Sequence, residues 1–132
     1  MQPLQDSWRR WSNGALLKRT ILLFCGWGWA TAIVVLSLIP TVPSIDIEQG
    51  DKLGHFAAYG LLMFVFCLIY DQRATRLAYA TGFIAMGVAL EFLQGMTGYR
   101  TFDLLDMLAN ATGVLGVLAG MRALRFLGMR TR

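Results

Sequence analysis

Four long apolar blocks constrain this chain more than any other feature of its sequence. Residues 20–39 carry no charge, and residues 53–70 carry His55 alone as a group that titrates near neutral pH. The strongly polar side chains of residues 77–98 are Glu91 and Gln94, and those of residues 104–121 are Asp106 and Asn110. Each block has about the 17–25 residues that a helix needs to cross the hydrocarbon core of a bilayer. Soluble domains carry roughly 25 % charged residues. Here 15 % are charged and 56 % are hydrophobic, so much of the surface does not face water. The pattern predicts an all-α, polytopic membrane protein built as a four-helix bundle.

The first block is too long for a signal peptide, and Ser37-Leu38-Ile39-Pro40 is a poor cleavage context, so it is read as the first membrane helix. Basic residues then set the orientation. Arg9, Arg10, Lys18, Arg19, Arg73, Arg76, Arg122, Arg125, Arg130 and Arg132 fall on one side of a four-helix topology, leaving Lys52 and Arg100 on the other. The positive-inside rule puts the larger group, and with it both termini, in the cytoplasm. Asp46, Glu48, Asp51 and Asp103 lie on the outer side. Topology and contact with anionic lipid account for the basic tail without a nucleic-acid partner. Three regions follow. Residues 1–18, with Leu4, Trp8, Trp11 and Ala15 at helical spacing around Arg9 and Arg10, suit a cytoplasmic amphipathic segment on the inner leaflet. Residues 19–121 form the membrane domain, and residues 122–132 a basic cytoplasmic tail. Cys25 and Cys67 are expected as small buried hydrophobes without a disulfide. Gly113, Gly116 and Gly120 give the fourth helix a small-residue surface, including a Gly116-x-x-x-Gly120 pair, suited to close helix contact within the bundle.

The few polar side chains of the membrane helices fall in stripes. Asp51 or Lys52, His55 and Tyr59 share a face of the second helix, Gly87, Glu91 and Gln94 one of the third, and Asp103, Asp106 and Asn110 one of the fourth. The alternation of helix direction puts all three stripes in the outer half, with Arg100 in the loop joining the last two. An ionisable group within the apolar layer is costly, about 2.5–3.5 kcal/mol for Asp at a helix centre on the translocon scale, and marks a site by default. The competing reading is interhelical hydrogen bonding, worth about 0.6 kcal/mol a bond. Glue alone would need fewer charges and no histidine.

His55 with Glu91 or Asp103 suits a general acid–base pair, and these three are the catalytic candidates. Lys52 and Arg100 suit a phosphate or carboxylate head group. Asp51, Tyr59, Gln94, Asp106 and Asn110 complete the ligand-binding candidates. The carboxylates and His55 are acceptable ligands for zinc or magnesium. No metal is assigned, because no H-E-x-x-H or Cys-rich spacing occurs, His55 is the sole histidine, and Lys52 and Arg100 compete for the acids. No cofactor is expected. Ser37 lacks an elbow motif around it and is not read as a nucleophile.

Together Asp51-Lys52-x-x-His55-x-x-x-Tyr59, Glu91-x-x-Gln94 and Arg100-x-x-Asp103-x-x-Asp106-x-x-x-Asn110-x-x-Gly113 closely resemble the VanZ-like family over residues 36–120. The resemblance implies a small bacterial inner-membrane protein. The family takes its name from a glycopeptide-resistance cluster, whose member is linked to reduced teicoplanin susceptibility. Two functions fit the residues. One is a cell-envelope protein that binds membrane lipid, a lipid-linked cell-wall intermediate or an antibiotic's lipid tail. The other is an intramembrane enzyme acting on a lipid head group by His/Glu acid–base chemistry. A proton-coupled transporter fits less well, because residues 62–69 and 115–119 are apolar and leave no polar path to the cytoplasmic side.

Overall fold

The computed structural model describes residues 3–40 and 50–128, with side chains from residue 14 onward. Four helices follow one another: α1 (Pro3–Leu38), α2 (Gly50–Ile69), α3 (Arg73–Met96) and α4 (Leu104–Phe126). Each contains a span long and apolar enough to cross a membrane, from the 20 residues of α2 to the 25 of Gly14–Leu38 in α1. The outward faces carry Phe24, Leu53, Phe64, Leu104, Leu108 and Leu115, all exposed. In water such a surface would drive association, whereas in a bilayer it meets acyl chains. The chain is an all-α, multi-pass membrane protein.

Each element begins or ends where its sequence stops supporting a helix. Pro40 has no N–H to offer the carbonyl of Leu36, and α1 ends at Leu38. The tight 70–72 connection makes α2 and α3 antiparallel neighbours. Gly98, at φ 76°, takes the left-handed turn after α3 that a side chain would resist. The Asp103 carboxylate then accepts the Leu105 N–H and caps α4.

Some boundaries differ from the sequence expectation. Helix α1 runs unbroken from Pro3, so residues 3–18 are continuous with the membrane helix. At 1.5 Å per residue a 36-residue helix is about 54 Å long, well beyond the ~30 Å hydrocarbon core. The side chains of Leu4, Trp8, Arg9, Arg10 and Trp11 lie outside the described residues, as do Asp46 and Glu48. Helix α4 continues past residue 121 through Arg122 and Arg125, because Met121 and Leu124 still pack on the core.

The core runs along the bundle axis through Ile33, Tyr59, Leu62, Met63, Phe66, Phe83, Leu90 and Val114. The most extensive interface is between α2 and α4. There a Cβ on Gly113 would collide with the Phe56 carbonyl oxygen, so glycine lets the two backbones touch. Of the three glycines expected to allow close contact, Gly113 makes it, and nothing lies within 4 Å of a Cβ at Gly116 or Gly120. Helix α1 meets the bundle along the narrow line Gly26–Ala30–Ile33. Cys25 lies beside that line and is exposed, contrary to expectation, while Cys67 is buried; both thiols are free.

The two ends of the bundle differ in chemistry. One holds an aromatic cluster of Trp27, Phe66, Tyr70, Tyr79 and Phe83, with Phe66 and Tyr79 centroids 4.5 Å apart and Arg19 over the Tyr70 ring. The start of α3 and the end of α4 meet there, where Asp71 pairs with Arg76 and Arg125. The opposite end gathers the polar stripes.

Candidate functional site

The polar stripes of α2, α3 and α4 converge in one layer at the end of the bundle away from the aromatic cluster. Lys52 from α2 reaches Asp103 at the start of α4, with Nζ to Oδ2 at 3.0 Å, and lies 3.8 Å from Asp106 Oδ1. One turn further along α2, His55 Nδ1 is 3.2 Å from Asn110 Oδ1. Its Nε2 faces two carboxylates, Asp106 Oδ2 at 3.6 Å and Asp51 Oδ1 at 3.8 Å. Helix periodicity explains the pairing. Lys52, His55 and Tyr59 lie on the face of α2 that Asp106, Asn110 and Gly113 meet from α4, held together by the Gly113 crossing.

Glu91 has a different partner from the one its sequence position suggests. It is 2 % exposed, and its Oε1 accepts the Asp103 backbone N–H at 2.6 Å. It therefore supports the turn into α4. The nearest polar partners of His55 are Asp51, Asp106 and Asn110, while Glu91 and Asp103, its expected acid–base partners, share the same layer. The geometry follows from direction: α2 and α4 share their closest contact, and α3 reaches the layer through the loop that enters α4. The Leu105 N–H and the Lys52 ammonium both hold the Asp103 carboxyl below its ordinary pKa.

The remaining candidates separate. Gln94 is buried and donates its Nε2 to the Ser37 carbonyl at 2.9 Å, tying α3 to the end of α1. Asn110, also buried, orients His55. Tyr59 is 1 % exposed and its hydroxyl has no hydrogen-bond partner among the described residues. Asp106 is also buried, and its Oδ1 likewise lacks a hydrogen bond. Arg100 is half-buried in the α3–α4 loop, and no ion pair among the described residues involves it.

The VanZ/LLP1 family model matches residues 3–125 of the chain. The chain belongs to that family. A curated relative, the uncharacterized protein C11E3.10 of Schizosaccharomyces pombe, is 30 % identical over 102 residues, covering 75 % of this chain and 60 % of the relative. The chain thus spans about three fifths of that relative's length. No solved structure matches the chain. A relative in a yeast extends the likeness beyond bacteria.

This VanZ/LLP1 chain also carries polar contacts that its sequence pattern did not single out. The last carbonyls of a helix have no partner within it. In α1 these are satisfied across the bundle, Ser37 by Gln94 and Leu38 by the Tyr99 hydroxyl. At the other end Arg76, expected as a cytoplasmic loop charge, is 7 % exposed and donates to the Cys67 and Tyr70 carbonyls that end α2. Trp29 Nε1 donates to the Ala58 carbonyl and fixes α1 to α2. Pro40 is the sequence signal for the first of these, since a helix stopped by proline inside an apolar layer needs donors from elsewhere. Backbone acceptors carry no residue signature, and the others had none.

An apolar groove of about 470 Å³ opens on the outer face between α2 and α4. Phe56, Ala57, Gly60, Leu61, Phe64, Gly113, Gly116 and Val117 line it. Phe56, Gly60 and Phe64 recur every four residues on α2, so the groove follows α2, starting one turn beyond Lys52.

Proposed function

We propose that this VanZ/LLP1 protein binds an anionic, phosphate-bearing membrane lipid or lipid-linked envelope intermediate, its chain in the α2–α4 groove and its head group at Lys52. The observation that carries this reading is the apolar α2–α4 groove, whose lining begins at Phe56, one helical turn from Lys52. An apolar groove with a cation at one end matches a lipid tail joined to an anionic head. Arg100, half-buried in the adjoining loop, is a second cation for the head group. The basic end of the bundle lies in the cytoplasm by the positive-inside rule, so the head group is taken from the outer leaflet. A yeast relative favours a lipid head group over a ligand peculiar to the bacterial cell wall. A link to glycopeptide tolerance would take the form of the same groove accepting the antibiotic's lipid tail. The acid–base alternative is less favoured, because Glu91 is engaged by the Asp103 N–H.

The test is lipid retention. The protein, extracted in mild detergent, is delipidated, incubated with vesicles of mixed phosphatidylglycerol and phosphatidylcholine, repurified, and its bound lipid measured by mass spectrometry in the presence of a chelator. The wild type retains the anionic lipid selectively. Gly116→Leu fills the groove where no atom opposes a side chain, and Lys52→Gln removes the cation; each lowers retention at least severalfold. Equal retention by all three overturns the reading.

A further inference from the structure

Asp51, His55 and Asp106 each offer a ligand atom, and the three atoms lie within 4.8 Å of one another. We propose that these three side chains bind a single divalent cation of the zinc or manganese class, a site distinct from the lipid groove and independent of it. The first argument is the histidine. Asn110 Oδ1 lies 3.2 Å from His55 Nδ1, so Nε2 is the ring nitrogen turned away from Asn110. Nε2 faces the oxygens of two carboxylates, 3.6 and 3.8 Å away. One imidazole nitrogen and two carboxylate oxygens converging on one point are the donor set of a cation site. A ring whose far nitrogen is fixed by a side-chain oxygen is also how metal-bound histidines are commonly oriented.

The second argument is the unsatisfied carboxylate. Asp106 is 6 % exposed and its Oδ1 accepts no hydrogen bond. A buried carboxylate oxygen without a partner costs about 1–3 kcal/mol or more. Lys52 meets this oxygen as an ion pair at 3.8 Å without a hydrogen bond, its ammonium being bonded to Asp103 at 3.0 Å, while the second oxygen, Oδ2, faces His55. With Lys52 paired to Asp103, Asp51 and Asp106 are the carboxylates left to balance a divalent ion.

The spacing and the donor types select the ion. Donors around a tetrahedral zinc, at bond lengths of about 2.0–2.2 Å, stand roughly 3.4 Å apart. The two separations from His55 Nε2 are a few tenths of an ångström longer, all three donors lie within 4.8 Å of one another, and the exposed Asp51 side chain is free to close on the site. One imidazole and two carboxylates suit zinc or manganese better than magnesium, which prefers oxygen alone. Three protein donors leave further positions for water.

The experiment is a metal titration of the full-length chain, without a histidine tag, stripped with chelator and delipidated in detergent. Zinc chloride and manganese chloride are added in competition with a chromophoric chelator, and bound metal is counted by elemental analysis after gel filtration. The wild type binds about one equivalent of at least one of the two ions. His55→Ala and Asp106→Asn each weaken binding at least about tenfold, and Asn110→Ala weakens it about 10–100-fold through the misoriented imidazole. Lys52→Met, which removes a competing cation, tightens it. Asp51→Asn changes an exposed side chain, leaves the fold intact and still weakens binding, so the test stands if Asp106→Asn fails to fold. Failure of the wild type to bind either ion, or binding that His55→Ala and Asp51→Asn leave unchanged, overturns the proposal. Lipid retention is measured in chelator and metal binding without lipid, so either reading can fail alone.

Discussion

At the scale of single residues, the polar layer contains groups that hold the fold and groups to which the proposals above assign a ligand. Glu91 belongs to the first. Its carboxylate accepts the N–H that starts α4, a bond that glutamine makes equally well without a charge. Glu91→Gln should therefore keep wild-type thermal stability in detergent, whereas Glu91→Leu should lose about 1–3 kcal/mol by stranding that N–H. Asp103 gives a pH-dependent counterpart. Its folded pKa lies below the ordinary 3.8, because the Leu105 N–H and the Lys52 ammonium favour the charged form. A depressed carboxylate stabilises the fold fully above the unfolded value and loses that contribution as pH falls through the folded value. Asparagine caps a helix about as well as aspartate. Asp103→Asn should thus melt below wild type at pH 7, and the two curves should converge as the pH drops below about 4. A difference that persists unchanged in acid would show that the charge of Asp103 is not involved. The residues of this layer were legible in the sequence as polar exceptions on apolar helices. Their partners were not, since Glu91 serves a backbone N–H and Gln94 a backbone carbonyl, and such groups occur at every position.

At the scale of helices, packing depends on where backbones approach. Sequence spacing marks Gly113, Gly116 and Gly120 alike, as a small-residue surface on α4, and cannot say which of them faces a neighbour. The choice follows from the rotation of α4 against α2, which the Lys52–Asp103 and His55–Asn110 contacts set at one end. Gly113 then meets Phe56 and Gly60, while Gly116 opens into the groove and Gly120 to the outer surface. Gly113→Ala should cost about 1–3 kcal/mol, by pushing α2 and α4 apart. Gly120→Ala should stay within about 0.5 kcal/mol of wild type. Unfolding in mixed micelles, followed by circular dichroism, measures both. The same separation of α2 from α4 would stretch the Lys52–Asp103 and His55–Asn110 contacts. Gly113→Ala should therefore weaken ligand binding at the polar layer while Gly120→Ala leaves it unchanged.

At the scale of the molecule, four apolar blocks of membrane-spanning length made the helix count and the antiparallel order legible from the sequence. Those blocks have no soluble use at that length, and short polar connections leave few topologies. Helix ends were less legible, because α1 and α4 extend beyond their apolar blocks through basic residues that a helix tolerates outside the hydrocarbon layer. The resulting bundle is polarised. Arg19, Arg76 and Arg125 gather at the aromatic end, and Asp51, Glu91, Asp103 and Asp106 at the other. Charge asymmetry of this kind directs insertion, since basic flanks resist translocation and acidic ones contribute little. The aromatic end should accordingly face the cytoplasm, with the His55 layer near the outer leaflet. Single cysteines placed at Arg100 and Arg125 in a Cys25→Ser, Cys67→Ser background test this in intact cells. A membrane-impermeant maleimide should label the cysteine at 100 and spare the one at 125 until the membrane is opened. Labelling in the reverse pattern would invert the bundle, and the lipid and the cation would then be drawn from the cytoplasmic leaflet.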